Sequence, residues 1–128
     1  MQLLVDTHLL LWSVGASKKL PAEARDLITD PANVVLYSAA SVWEIALKSS
    51  LGRAGFKVNM ASLLRGFAAA GFTELPVTSA HAARVLSLPD LHRDPIDRML
   101  IAQALTEPAI LLTNDGQLAQ YGDQVRVL

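Results

Sequence analysis

Asp6, Glu44, Asp94, Asp97 and Asp115 are the side chains of this sequence whose types and positions can do chemistry together. Asp6 ends an apolar run, Glu44 stands about one turn into a helix-like segment, Asp94 and Asp97 bracket Pro95 where another helix opens, and Asp115 follows a further apolar run. Carboxylates held close together cannot all stay ionised unless a cation lies between them, because each charge raises the pKa of its neighbours. Oxygen donors without a histidine or cysteine cluster favour a hard ion, Mg2+ or Mn2+, which keeps several waters and reaches phosphate oxygens. Such ions lower the pKa of a water, align it with a phosphodiester and stabilise the leaving oxygen. The expected chemistry is hydrolytic phosphodiester cleavage.

Each acid also has a structural reading. Asp94-Pro95-Ile96-Asp97 is a good helix start, with Asp94 as N-cap and Asp97 near the positive end of the helix dipole. Ser41-Val42-Trp43-Glu44 matches a capping box, and Asp115-Gly116 suits an ordinary turn. Asp6 has no cap evident in the sequence, so an acid ending a buried strand there points to chemistry on its own. Joint placement favours chemistry for the others.

The elements that would position these acids alternate. Apolar runs predict strands over Leu3 to Val5, Asn33 to Tyr37, Phe72 to Val77, Ala109 to Thr113 and Val125 to Leu128. Helix-like segments lie between them, over Thr7 to Val14, Pro21 to Thr29, Ser41 to Leu51, Met60 to Ala70, Ser79 to Leu86 and Pro95 to Thr106. This alternation predicts an α/β fold, a mainly parallel central sheet flanked by helices on both faces. Ligands of such sheets bind beyond the carboxyl ends of the strands, the edge to which all five acids map. Leu51 to Lys57 reads as an exposed connection whose Arg53 and Lys57 could lean over a substrate.

Bulk properties narrow the options. At 128 residues the chain is expected to form one domain spanning 1–128. A formal net charge of -1 excludes general electrostatic attraction as the grip on nucleic acid, so phosphate contacts must be local. Having no cysteine, the chain has no disulfide, thiolate metal site or cysteine nucleophile, which fits a cytoplasmic location. Asp6 interrupts the first apolar run before a signal-peptide core forms, and the longest stretch without Asp, Glu, Lys or Arg, Pro31 to Trp43, is too short for a membrane span. A content of 52% hydrophobic residues hints at surface covered by a partner.

Four segments, LLVDTHLLLW, SAASVWEIALKSSLG, LPDLHRDPIDRMLIAQAL and LLTNDGQL, resemble in that order the motifs of PIN-domain proteins of the VapC toxin type. They span nearly the whole chain, and HRDPIDRMLIAQA is the most specific of them. The resemblance implies the three-layer α/β/α PIN fold and a Mg2+- or Mn2+-dependent endoribonuclease acting on RNA. It also implies a homodimer and a cognate antitoxin that silences the toxin. Asp6, Glu44, Asp97 and Asp115 match the family's four acidic metal ligands, while Asp94 is an additional carboxylate. Thr7 and Asn114, beside matched acids, are accessory candidates for holding a metal-bound water, or else bond the local backbone.

Other polar residues are less committed. His8, His81 and His92 lack metal-site spacing and form no Ser-His-Asp grouping, although His92-Arg93 stands close enough to the acids to meet a substrate phosphate. Arg98 and Lys48 suit either a carboxylate or a phosphate partner. Leu9, Leu10, Leu11 and Trp12 cover every side of a short helix, so that segment, with Trp43 or Leu47, is a candidate dimer or antitoxin surface. Alternatives for the function are a PIN-type nuclease of RNA maturation or repair, a small-molecule phosphohydrolase, and a binding module whose acids only cap helices. A dehalogenase-like phosphohydrolase needs a second Asp where His8 stands.

Overall fold

The computed structural model describes residues 1–52 and 57–128. Five strands, β1 (Gln2–Val5), β2 (Val34–Ser38), β3 (Thr73–Leu75), β4 (Ile110–Thr113) and β5 (Val125–Val127), form one wholly parallel sheet in the order β3-β2-β1-β4-β5. Six α-helices accompany them among the described residues: α1 (Thr7–Val14), α2 (Ala22–Thr29), α3 (Ala39–Ser50), α4 (Met60–Ala69), α5 (Ser79–Arg84) and α6 (Pro95–Thr106). Short 3-10 turns cover Val85–Ser87 and Gly116–Tyr121.

The central strand shows why the sheet is buried on both sides. In β1 the consecutive residues Leu3, Leu4 and Val5 are all inaccessible, the unbroken apolar run of a strand covered on both faces. Leu3 and Val5 join Leu9 and Leu10 of α1, Ala24 and Ile28 of α2 and Phe67 of α4 in one core. Leu4 faces the other way, toward Leu100, Ile101 and Ala104 of α6 and Leu118. This is the expected three-layer arrangement, with each side chain's face set by the two-residue period of the strand.

Most boundaries differ from the pattern reading by one or two residues, and those of α3 and β3 do so for a local reason. α3 begins at Ala39 rather than Ser41: Ser38 ends β2 and caps the helix, its hydroxyl accepting from the Ala40 amide at 3.0 Å. The capping box expected at Ser41 and Glu44 is therefore absent, and Ser41 is buried in the helix, where its hydroxyl accepts from Thr7 Oγ1. β3 is shorter than Phe72 to Val77. At one end Gly71, at a φ of +81°, lets the Phe72 amide turn back to the Phe67 carbonyl; at the other, Pro76 has no N–H to continue the ladder. The connection expected to carry Arg53 and Lys57 falls largely in 53–56, outside the described residues.

The strand order locates the functional edge. From β1 the chain steps to β2 and β3 on one side and later returns to β4 and β5 on the other. The carboxyl ends of β1 and β4 thus flank the point where the winding reverses, and a crevice opens there.

Candidate active site

Asp6 is fixed by both of its neighbours in the crevice. Val5 pairs with Leu112 in register, the Asp6 amide donates to the Leu112 carbonyl at 3.0 Å, and Thr113 lies beside Asp6 at the end of β4. One carboxylate oxygen, Oδ1, accepts from the Leu9 amide at 2.9 Å and so caps α1; Oδ2 accepts from the Thr113 hydroxyl. Asp6 is thus a helix cap as well as a groove residue, a role not evident in the sequence. Only 5% of it is exposed. Burial pushes its pKa up, against the pull of the Thr113 hydroxyl, the Leu9 amide and His8.

The other acids arrive from three further segments. Asp6, Glu44, Asp94, Asp97 and Asp115 line one groove of 230 Å³, together with Thr7, His8, Lys48, His92 and Asn114. Glu44 reaches it from α3, and Lys48, one turn later, pairs with it at 3.2 Å. Asp94 caps α6, with Oδ1 accepting from the amides of Ile96 at 2.8 Å and Asp97 at 3.1 Å. Asp97 stands in the first turn of α6, and its Oδ2 accepts from His92 Nε2 at 2.8 Å. Asp115, after β4, caps the following 3-10 turn through the Gln117 amide.

The acids do feel one another. The Asp97 carboxyl is raised chiefly by burial, opposed by the His92 hydrogen bond, and raised further by the charges of Asp94 and Asp6. A metal site is also hinted at from a different direction, since ligand atoms of His92, Asp97 and Asp115 all lie within 4.8 Å of one another. Carboxylate oxygens with one imidazole at its margin are a donor set suited to a divalent ion. The acids drawn together from four segments fit such an ion better than they fit one another.

His92 is the residue that sequence spacing undervalued: it stands five positions before Asp97, with no metal-ligand periodicity, and enters the groove only because the chain ahead of α6 folds back over that helix. Lys48 pairs with a carboxylate, one of its two expected partners. Arg98 takes neither expected partner and instead donates to backbone carbonyls and to Tyr121. Thr7 bonds the Ser41 side chain, not the local backbone, and Asn114 is exposed at the rim. On α1, Leu9 and Leu10 are wholly buried, so Leu10 belongs to the core and not to a docking surface; Trp12 is half-buried against the same core. Exposed apolar area lies instead on α3 and just beyond it, at Trp43, Leu47 and Leu51.

Comparison with known proteins places this geometry. The family model of the PIN domain matches residues 3–124. No match to a curated protein sequence was found. Among solved structures, VapBC2 from Rickettsia felis bound to a promoter DNA fragment is similar at a TM-score of 0.72 and 16% identity, over 100% of this chain and 98% of that one. A toxin-antitoxin complex from Klebsiella pneumoniae is similar at 0.65 and 17%, over 97% and 95%. A domain of a functionally unknown protein from Methanocaldococcus jannaschii gives 0.61 and 17%, over 99% and 90%. At these identities the structural likeness establishes the fold.

Proposed function

The chain belongs to the PIN domain family, whose members are nuclease-type hydrolases that generally use divalent metals, and from that premise we propose that it is a Mg2+- or Mn2+-dependent endoribonuclease acting as the toxin of a toxin–antitoxin pair. The observation that carries the nuclease reading is the convergence of Asp6, Glu44, Asp97 and Asp115, from four separate segments, on one groove at the carboxyl edge of the sheet. Asp94, Thr7 and Asn114 are accessory: Asp94 already spends one oxygen on two helix amides, while Thr7 and Asn114 stand beside the principal acids.

Asp6, Glu44, Asp97 and Asp115 would hold the ion. A bound divalent ion supplies a water of lowered pKa and positive charge for the developing phosphate oxyanion. The protein's own contribution is rigidity and polarity. Asp6 cannot swing away, because its two oxygens are tied to α1 and to β4. His92 donates to Asp97 and so orients that carboxylate. Lys48, at the rim beside Glu44, is the cation placed to meet a phosphate when RNA enters, which suits a chain whose net charge offers no general attraction.

The toxin assignment draws support from structural neighbours described as VapBC and as a toxin-antitoxin complex. It implies a cognate antitoxin, a homodimer and action in the cytoplasm. Trp43, Leu47 and Leu51, three exposed apolar side chains in or next to α3, provide a surface for such a partner. Among the described residues no helix is long and apolar enough to cross a membrane.

Incubating total cellular RNA with the native protein and with Asp97→Asn, in Mn2+ or Mg2+ and in chelator, tests the reading. Cleavage is expected only from the native protein with metal, and Asp97→Asn should lose more than about a hundredfold in rate, because a ligand matters more than the groups that orient it. Cleavage that survives chelation, or an Asp97→Asn protein as active as the native one, overturns it.

A further inference from the structure

Three of the groups facing the groove, His92, Asp97 and Asp115, are carried by three different pieces of chain, and one side chain outside the groove touches all three pieces. Arg98 follows Asp97 on α6. Its Nη2 donates to the Val85 carbonyl at 3.3 Å, and its Nη1 donates to the carbonyls of Pro89 at 3.1 Å and His92 at 3.4 Å and to the Tyr121 hydroxyl at 3.3 Å. Val85, Pro89 and His92 punctuate the segment that lays His92 over α6. Tyr121 ends the 3-10 turn that Asp115 begins.

We propose that Arg98 is the positioning residue of the groove: its guanidinium locks the His92 segment and the Asp115 turn onto α6 and thereby sets the spacing of His92, Asp97 and Asp115. This role rests on the metallonuclease reading for its functional half. The segment needs such a tie because its backbone bonds are local, Leu88 to Val85 and Leu91 to Pro89, and the buried Leu88 side chain anchors it only by packing. Packing alone fixes position loosely; hydrogen bonds to three carbonyls fix orientation as well. Arginine suits the task, since a planar fork carries five donors in fixed directions, whereas lysine offers a single nitrogen on a flexible stem. Orientation of the His92 backbone passes directly to its ring, which holds Asp97 at 2.8 Å. The consequence is a preformed set of ligand atoms within 4.8 Å of one another, at the cost of no groove carboxylate.

The test compares the native protein with Arg98→Lys, Tyr121→Phe and, as a control at the far end of α6 away from the groove, Glu107→Gln, which weakens the contact to His81. Two quantities are read: the NMR signals of the histidine rings in metal-free protein, and the affinity for Mn2+ by calorimetry. Arg98→Lys is expected to move or broaden the His92 ring signals while leaving those of His81 in place, and to weaken Mn2+ binding about 10- to 100-fold, the range for losing an orienting group. Tyr121→Phe removes only the tie to the Asp115 turn and should weaken binding by roughly threefold, a fraction of the full orienting effect. Glu107→Gln should shift the His81 signals, lower the melting temperature and leave Mn2+ affinity unchanged. If Arg98→Lys does not fold, Tyr121→Phe carries the test, and unchanged Mn2+ affinity in that variant overturns the proposal. So does an Arg98→Lys protein with native His92 signals, or one that binds Mn2+ no more weakly than Glu107→Gln. A native protein that binds no Mn2+ sinks the metallonuclease reading instead, while the metal-free ring signals still decide whether Arg98 positions His92.

Discussion

The two ends of α6 carry the same pair of groups and do different work with it. At its start His92 Nε2 meets Asp97 at 2.8 Å; at its end His81 Nε2 meets Glu107 at 2.5 Å. The second pair sits in a network: His81 is buried, its Nδ1 accepts from the Thr78 amide at 3.1 Å, and Gln103 approaches the same nitrogen at 3.4 Å while also donating to the Pro76 carbonyl, its own Oε1 being buried without a partner. The contacts with Glu107 and Gln103 fasten α5 to α6, and the Thr78 amide contact caps α5 itself. The first pair stays open to a groove, with Asp94, Asp115 and Asp6 nearby and more carboxylates than cations around it. A histidine–carboxylate contact therefore says little about function by itself. What decides is whether the surroundings leave negative charge in want of a cation, as they do around Asp97 and not around His81.

Breaking each pair should separate the two roles. Of the two histidines the larger effect on rate is expected from His92→Ala, which frees Asp97: RNA cleavage should fall about 10- to 100-fold with little change in melting temperature. A rate within twofold of native would mean that His92 does not orient the groove. His81→Ala is the counterpart and should act on stability, lowering it by about 1–3 kcal/mol in urea unfolding, because the Thr78 amide, Gln103 and Glu107 lose their shared partner. Its cleavage rate per folded molecule should match the native protein, and a large loss of rate would erase the contrast between the two ends of the helix.

The smallest effect concerns proton linkage. Burial raises the carboxyls of Asp6 and Asp97 above their ordinary value, so the metal-free folded protein holds protons that the unfolded chain releases. Between the ordinary value and the raised one, stability falls as pH rises, and the full penalty is present above the raised value. Acidifying metal-free protein from neutral pH should therefore relieve part of the penalty, and Asp6→Asn should remove its share. The readout is the slope of melting temperature against pH, more negative in the native protein than in Asp6→Asn. Equal slopes would show that Asp6 carries no such penalty.

Much of this arrangement was legible from residue types and order. Apolar runs and punctuation place the five strands and six α-helices of the described residues to within a few residues, because a strand buried on both faces reads as a short apolar run and Pro, Gly and Asp mark where helices start and stop. The acids Asp6, Glu44, Asp94, Asp97 and Asp115 stand out in the sequence because strand ends and helix starts of a parallel sheet share one edge, and the structure brings them to one groove there. Sequence pattern puts the start of α3 two residues late because Ser38 belongs to a strand and a cap at once, and Ser41-x-x-Glu44 imitates a cap where the helix is already under way. With the capping box gone, Glu44 keeps its place in the groove without that competing structural explanation.

Period, polarity and punctuation are properties of neighbours along the chain, and from them the sequence determined the layered α/β class and the edge that gathers its acids. Only the tertiary structure decided that Asp6 is clasped by Leu9 and Thr113, that His92 folds back onto Asp97, and that Arg98 grips the carbonyls of Val85, Pro89 and His92. These contacts join side chains to segments that turn in space, and a backbone carbonyl, identical in every residue, leaves no mark in the amino-acid code for a guanidinium to be matched against.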